Sequence, residues 1–232
     1  MKRTHPQTAR HRGDRPGRRV PLAVAAIAAT ALTGLAPASF QGCAGPGEPR
    51  YDLAPLERTD TEIRAANGSL LLALGDLPGT IPVDRDTAFS ATQRITDASL
   101  APDHAYLAVA TSGTAHGAAW LAPMRANRMH PIAFQYGGRV EIGPWSADSR
   151  YVVTARETPA PARLLAVIDR NHLGDTVAVN SIPVRISEHG ESVPPETHYR
   201  AIEWRDGRLV FEVDGHRHIF DIARRQIESR KH

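Results

Sequence analysis

Short hydrophobic runs, each preceded by a turn-forming segment, recur along the chain after about residue 60. Apolar positions in these runs alternate with polar ones or are continuous, as is typical of strands. Each preceding segment contains Asn or Asp, which favour tight turns, above all beside Gly. The four runs are Leu70–Leu74, Tyr106–Ala110, Tyr151–Ala155 and Leu209–Val213. A 3.6-residue helical periodicity is not sustained here, so the pattern predicts an all-β domain over residues 61–232.

A second predicted strand follows each run at short range. These strands are Thr80–Val83, Ala119–Ala122, Arg163–Ile168 and His218–Ile222. The turn residues Asn67, Asp103 and Asp148 are separated by 36 and 45 residues, which is close to the length of a propeller blade. The last interval is longer because residues 171–198 form an insertion, in which we predict a further strand at Thr176–Val179.

The turns share parts of a known signature, Trp-Ser-Pro-Asp-Gly before an apolar strand. The second turn contains Pro102-Asp103, the third contains Trp145-Ser146, and the fourth contains Trp204 with Asp206-Gly207. This pattern resembles the repeats of TolB-like and related WD-type β-propellers. The resemblance implies a small or partial β-propeller of about four blade-like units, in which the two tryptophans pack between neighbouring units. An antiparallel β-sandwich remains the alternative, because Asx turns before apolar strands occur in any antiparallel sheet.

The first 42 residues differ from the rest of the chain in charge and hydropathy. Residues 1–19 hold seven basic side chains and one acidic one, and Val20–Gly47 holds no charge. Val20–Leu35 is apolar and rich in alanine. A basic region followed by an apolar region and small residues is the plan of a secretory signal. We therefore predict an N-terminal signal helix within a signal peptide at residues 1–42.

Cys43, the single cysteine of the chain, follows this leader in the sequence Phe40-Gln41-Gly42-Cys43-Ala44. The segment resembles the lipobox of bacterial lipoproteins, in which the cysteine is lipidated and becomes the new N-terminus. The resemblance implies a lipidated N-terminus and tether at residues 43–60, anchored in the outer membrane and facing the periplasm. Cleavage after Ala38, which would give a soluble periplasmic protein, and an uncleaved membrane anchor are the alternatives.

The body of the chain, residues 43–232, is acidic once the charge of the leader is subtracted. The whole chain has 28 Lys and Arg against 25 Asp and Glu, a net charge of +3. The leader accounts for +6, so residues 43–232 carry 21 basic and 24 acidic residues, or −3. An acidic, exported body argues against binding to nucleic acid. The single cysteine rules out a disulfide within the chain.

The body lacks the sequence signatures of common catalytic and nucleotide sites. It has no nucleophile elbow, P-loop or dinucleotide-binding glycine motif, and we expect no catalytic residue, no cofactor and no metal. His216 and His218 are weak metal candidates, since residues two apart share one face of a strand. The polar loop of the insertion is a possible recognition loop, because binding residues gather on loops of rigid scaffolds. Its candidate residues are Glu188, His189, Glu191 and Ser192.

These features favour a lipid-anchored, non-enzymatic module of the cell envelope that binds another protein. An envelope hydrolase or lyase is an alternative, and it requires at least two histidines and a carboxylate to converge in one cleft. A soluble periplasmic binding module is a second alternative. A fragment that completes itself by pairing its open sheet edges with another chain is a third.

Overall fold

The computed structural model describes residues 53–126, 128–160, 162–185 and 197–228. These residues form an all-β structure of seventeen strands in five open antiparallel sheets, which confirms the predicted fold class. The predicted signal peptide, Cys43 and the possible recognition loop all lie outside the described residues. Within the part that the structure describes, no helix is long and apolar enough to cross a membrane.

The first two sheets are small. Sheet I contains β1 (Glu57–Arg58), β2 (Glu62–Arg64) and β3 (Leu70–Ala73), and sheet II contains β4 (Thr80–Pro82) and β5 (Ala88–Ser90). The predicted strand at Thr80–Val83 is present as β4, and it pairs with β5 and not with β3. The chain instead enters a 3-10 helix at Leu74–Asp76, where the Asp76 carboxylate accepts a hydrogen bond from the Ala73 amide at 2.8 Å.

Sheet III has four strands in sequence order. They are β6 (Arg94–Leu100), β7 (Tyr106–Ser112), β8 (His116–Pro123) and β9 (His130–Tyr136). The predicted strand at Tyr106–Ala110 is the second strand of this sheet, and the one at Ala119–Ala122 is the third.

Sheet IV repeats this order with β10 (Arg139–Trp145), β11 (Tyr151–Glu157), β12 (Arg163–Asp169) and β13 (Ser181–Val184). Sheet V repeats it with β14 (Tyr199–Arg205), β15 (Arg208–Val213), β16 (His216–Asp221) and β17 (Gln226–Glu228). In each of sheets III, IV and V the strand that follows the Asx turn is the second one. The repeat seen in the sequence is therefore a repeat of four-stranded sheets.

The predicted strand at Thr176–Val179 was wrong, because this segment forms a short helix, α1 (Val177–Asn180). Val177 is buried beside Trp120 and Phe134 in a hydrophobic cluster. The Asn180 side chain accepts a hydrogen bond from the Gly174 amide at 2.5 Å and donates to the Pro131 carbonyl at 2.7 Å. These tertiary contacts override the strand preference of the two valines in the helix.

The large sheets bury their faces against one another. Val152 packs with residues of sheet III, while its neighbour Val153 packs with residues of sheet V. Successive side chains of a strand point to opposite faces, so sheet IV is covered on both sides. Ile63 of sheet I shares a third cluster with Ile95 and Leu107 of sheet III. The core thus lies between successive sheets. Each of these sheets buries its apolar side chains against a neighbouring sheet.

Two tryptophans join neighbouring sheets in the same way. The indole N–H of Trp145 in β10 donates to the Ser99 carbonyl of β6 at 3.4 Å. That of Trp204 in β14 donates to the Pro144 carbonyl of β10 at 2.9 Å. The Trp204 ring also stacks on Tyr151, with ring centroids 5.7 Å apart. The prediction that both tryptophans pack between units is confirmed.

Candidate functional site

A cleft of about 410 Å³ lies between the first strands of sheets III and IV. Strands β6, β7 and β10 supply its lining, which consists of Arg94, Thr96, Asp97, Thr111, Ser112, Arg139, Val140 and Glu141. We call this the cleft end of the sheets. The opposite end carries the Asx turns at residues 101–105 and 146–150 and the segment 169–172, and we call it the turn end.

A β-bulge shapes the wall of the cleft. The pairing of β6 with β7 shifts between Ile95 and Asp97, and similar shifts occur in β10 and β14. A bulge re-aims the side chains beside it. The Asp97 carboxylate accepts hydrogen bonds from the Ala98 amide at 2.8 Å and from the Ile142 amide of β10 at 3.0 Å. Asp97 therefore ties the two walls together.

The sheets approach closely beside the cleft because β8 contains a glycine there. A Cβ atom on Gly117 would lie 2.8 Å from the Val140 backbone nitrogen and 3.2 Å from the Arg139 Cα atom. No side chain fits between these backbones without a shift of β10. Gly117 thus sets the spacing of the two walls.

Ion pairs run along sheet IV from the cleft. Arg139, Glu157 and Arg163 are directly opposite one another on β10, β11 and β12. The Arg139 Nη2–Glu157 distance is 2.5 Å, and Arg163 reaches Glu157 at 3.3 Å and Glu141 at 2.6 Å. The hydrogen bond that Arg139 donates to Glu157, and then the charge of Glu157, raises the pKa of Arg139. The charges of Arg139 and Arg163 are therefore neutralised within the sheet by Glu157 and Glu141.

Arg94 is different. Its Nε donates to the Ser112 hydroxyl at 2.8 Å, and its side chain is exposed. Among the described residues, no carboxylate forms an ion pair with it. Asp97 is the nearest acid along the strand, but both of its oxygens accept backbone amides. Arg94 thus leaves a positive charge in the cleft that no carboxylate of the described chain neutralises.

Aromatic side chains extend the surface at the cleft end. Tyr136 ends β9 and is 61 % exposed, one of the few large hydrophobic residues so exposed in the described chain. Its ring lies 6.1 Å from that of Phe89, which stacks on Phe134 at 4.3 Å. Arg94, Ser112, Gly117 and Gln135 form one row across sheet III, and Tyr136 adjoins it.

The turn end has a closed hydrogen-bond network instead. Asp169 is buried, and its carboxylate accepts from Arg150 at 2.8 and 3.2 Å, from the Asn171 amide at 3.1 Å and from His172 Nδ1 at 2.9 Å. Burial, the largest influence on Asp169, opposes its ionisation, but these hydrogen bonds outweigh burial and lower its pKa. Asp169 is therefore an ionised anchor for three neighbouring groups.

The same network joins sheets III and IV. The Ser149 hydroxyl accepts from the Asp103 amide at 2.9 Å, and Arg170 lies 2.6 Å from the Asp103 carboxylate. The Arg170 guanidinium also lies over the Tyr106 ring, 5.1 Å from its centroid. The positive φ angle of Ser149, 61°, places its hydroxyl within this turn. The charges of this end thus serve the contact between the sheets.

The pair of Asp169 and His172 has the geometry of a proton acceptor, because a carboxylate orients the imidazole through Nδ1. Asp169 has one histidine among its partners, whereas the hydrolase hypothesis requires two histidines and a carboxylate in one cleft. Across residues 53–126, 128–160, 162–185 and 197–228, no three His, Cys, Asp or Glu side chains are grouped to hold a metal.

The weak metal candidates lie on sheet V. His216 is exposed and begins β16 directly after the turn at Asp214-Gly215, whose two residues both have positive φ. His218 is partly buried and stacks on Phe211, with ring centroids 5.5 Å apart. The remaining predicted site residues, Cys43 and the possible recognition loop, fall outside the described residues.

Two comparisons by sequence bear on the relationship of this chain to known proteins. No protein-family model matches it, and no curated protein matches it by sequence.

The cleft residues were not predicted from the sequence. Arg94 and Arg139 begin corresponding strands, and each is followed by an apolar residue, in Arg94-Ile95 and Arg139-Val140. Extending the repeat alignment upstream of the Asx turns would have revealed this pair. It would not have shown that Glu157 neutralises Arg139 while Arg94 has no such partner.

Proposed function

We propose that this protein is a lipid-anchored module of the bacterial cell envelope that binds another protein at the cleft end. The body would be a small or partial β-propeller of blade-like units. Support for that architecture comes from three successive four-stranded sheets that repeat the same strand order, the same bulge and the same tryptophan contact. This repetition favours a propeller over a β-sandwich, in which two sheets share one core.

The anchoring part of the proposal rests on the leader. A basic segment, an apolar segment and the single cysteine follow one another as in a lipoprotein signal. Lipidation at Cys43 would tether the body through residues 43–60, and Ala44 in place of Asp favours the outer membrane. Several acyl chains on one residue give stable anchoring, whereas a single chain is marginal.

The binding part rests on one observation: the exposed Arg94 of the cleft has no carboxylate partner among the described residues, and exposed Tyr136 lies at the same end of sheet III. Arginine and tyrosine are enriched among the residues that dominate protein–protein binding energy. A rigid scaffold lowers the entropy lost on association. The cleft end is therefore suited to an acidic or mixed polar segment of a partner protein. No cofactor is needed for this function.

Two experiments test the proposal. Intact-mass measurement of the protein from its native host should give a chain that begins at a triacylated Cys43. A start at Ser39 would favour the soluble periplasmic alternative, and a start at Met1 would favour the uncleaved membrane anchor.

Affinity purification from detergent-solubilised envelope should recover a partner with the wild-type chain, and Arg94→Glu should reduce its recovery at least tenfold. Arg224→Glu, an equal change of charge on an exposed residue of sheet V, should retain the partner. Equal recovery of the partner with both variants would exclude the cleft as the binding site.

A further inference from the structure

Arg156 lies in β11 at the cleft end and has no partner for its charge. Its side chain is partly buried, and its Nε is shielded from solvent without a hydrogen-bond acceptor. No ion pair or hydrogen bond of its guanidinium occurs within the described residues. A buried polar group without a partner is costly, and native structures usually explain such a group with a bound water or ion.

A second arginine lies in the same row. Arg156 is directly opposite Leu164 of β12, and Leu165 is opposite Val184 of β13. Arg185 follows Val184, so it comes next to Leu164 on the other side. Directly opposite residues of antiparallel strands share one face, and strands lie about 4.8 Å apart. Burial, and then the positive charge of Arg185, lowers the pKa of Arg156.

Among the described residues, the carboxylates at this end of sheet IV already pair with other arginines. Glu157 and Glu141 neutralise Arg139 and Arg163 at the same end of sheet IV. Arg156 lies on the opposite face of β11 from Glu157, and among the described residues no carboxylate pairs with Arg156 or with Arg185, which leaves two positive charges in excess. This excess is local, because the body of the protein is acidic overall.

We propose that Arg156 and Arg185 bind a dianionic phosphate group, as free phosphate or as a phosphate monoester. Two positive charges match a dianion, and a guanidinium donates in a planar fork that suits phosphate oxygens. A carboxylate would neutralise only one of the two charges. Arg156 adjoins the proposed protein-binding cleft, since it is directly opposite Val140, but it does not line the cleft, and this proposal does not depend on protein binding there.

Calorimetric titration of the full chain in detergent, at constant ionic strength, tests the site. Inorganic phosphate and glycerol 3-phosphate are the probes, and chloride is the control. We expect saturable binding of at least one phosphate probe and none of chloride. Binding of inorganic phosphate alone would assign the site to free phosphate, and tighter binding of glycerol 3-phosphate would assign it to monoesters. The absence of saturable binding of either probe would overturn the proposal.

Matched variants locate the binding. Arg156→Gln and Arg185→Gln should each weaken phosphate binding about tenfold or more, as the loss of a charged hydrogen bond implies. Arg224→Gln removes one positive charge elsewhere and should leave the affinity unchanged. An equal loss in all three variants would reveal a nonspecific charge effect and would contradict the site.

Thermal melting distinguishes a loss of phosphate binding from a loss of folded structure. Without phosphate, Arg156→Gln should melt at or above the wild-type temperature, since it removes an unpaired, partly buried charge. Phosphate should raise the wild-type melting temperature and not that of this variant. A variant that melts lower without phosphate, yet keeps the wild-type phosphate shift, would show that Arg156 is structural and would overturn the proposal.

Discussion

The two ends of sheets III and IV use similar side chains differently. At the turn end, Arg150 and Arg170 are paired with Asp169 and Asp103, and the pairs hold turns and sheets together. At the cleft end, Arg94 and Arg156 have no carboxylate partner in the described chain. Neutralised charges at one end stabilise the fold, and unneutralised charges at the other are available to a ligand. The difference distinguishes a structural end from the end at which we propose binding.

Replacement of Asp169 tests the structural end and has the largest expected effect. Asp169→Ala should lower the free energy of unfolding by about 3 kcal/mol, because Arg150 would lose its partner beside a buried site. Urea denaturation followed by circular dichroism measures this. Asp175→Ala is the control, since the Asp175 side chain is 82 % exposed and pairs only with Arg128, and it should cost less than about 0.5 kcal/mol. Equal losses would erase the distinction between a buried network and an exposed pair.

A side chain at Gly117 should separate the walls of the cleft. Gly117→Ala should cost about 2 kcal/mol, the usual range for overpacking, because the new methyl group would collide with the backbone of β10. Gly75→Ala is the control, since nothing lies within 4 Å of its Cβ position. A difference of less than about 0.5 kcal/mol between the two variants would mean that sheet IV shifts freely.

Acid should weaken the turn end first. The carboxyl groups of Asp169 and Asp148 have lowered pKa values, and the main cause for Asp148 is the hydrogen bond from Ser146. A lowered pKa in the folded state contributes stability that is present above the unfolded pKa, near 4, and is lost as pH falls through the folded value. The free energy of unfolding should therefore fall as the pH is lowered below about 4. Urea titrations of wild type and Asp169→Asn should show a shallower fall in the variant. Parallel curves would exclude Asp169 as a source of the pH dependence of stability.

The two tryptophan contacts should differ in strength. Trp204→Phe should cost about 1 kcal/mol more than the loss of ring volume alone, because it leaves the Pro144 carbonyl without its donor. Trp145→Phe should cost less on this count, since its hydrogen bond is longer, 3.4 Å against 2.9 Å. Chemical denaturation of both variants compares them. A larger loss for Trp145→Phe would reverse the assignment.

The ion-pair row of the cleft end should contribute least to stability. Arg139→Gln should cost less free energy of unfolding than any of the changes above, because the Arg139 side chain is 72 % exposed and such pairs are well screened. The same denaturation experiment at low and high salt measures it. A loss near that of Asp169→Ala would make the cleft end as structural as the turn end.

The positions of the strands could be predicted from the sequence more accurately than the pairing between them. Asx turns and apolar runs depend on local residues, and they located the second strands of sheets III, IV and V. The pairing of β4 with β5 and the helix at Val177–Asn180 depend on contacts with distant residues, such as the Pro131 carbonyl, which leave no local pattern. The site was harder still, because the role of Arg94 depends on which acids are already paired across strands.

Site-specific photo-crosslinking in the native host tests the central claim most directly. A photoreactive residue at Thr96, in the cleft, should crosslink to one partner protein, and the same residue at Asn171, exposed at the turn end, should not. The crosslink from Thr96 should disappear when Arg94→Glu is added. A partner captured at Asn171 and not at Thr96 would contradict the assignment of the two ends.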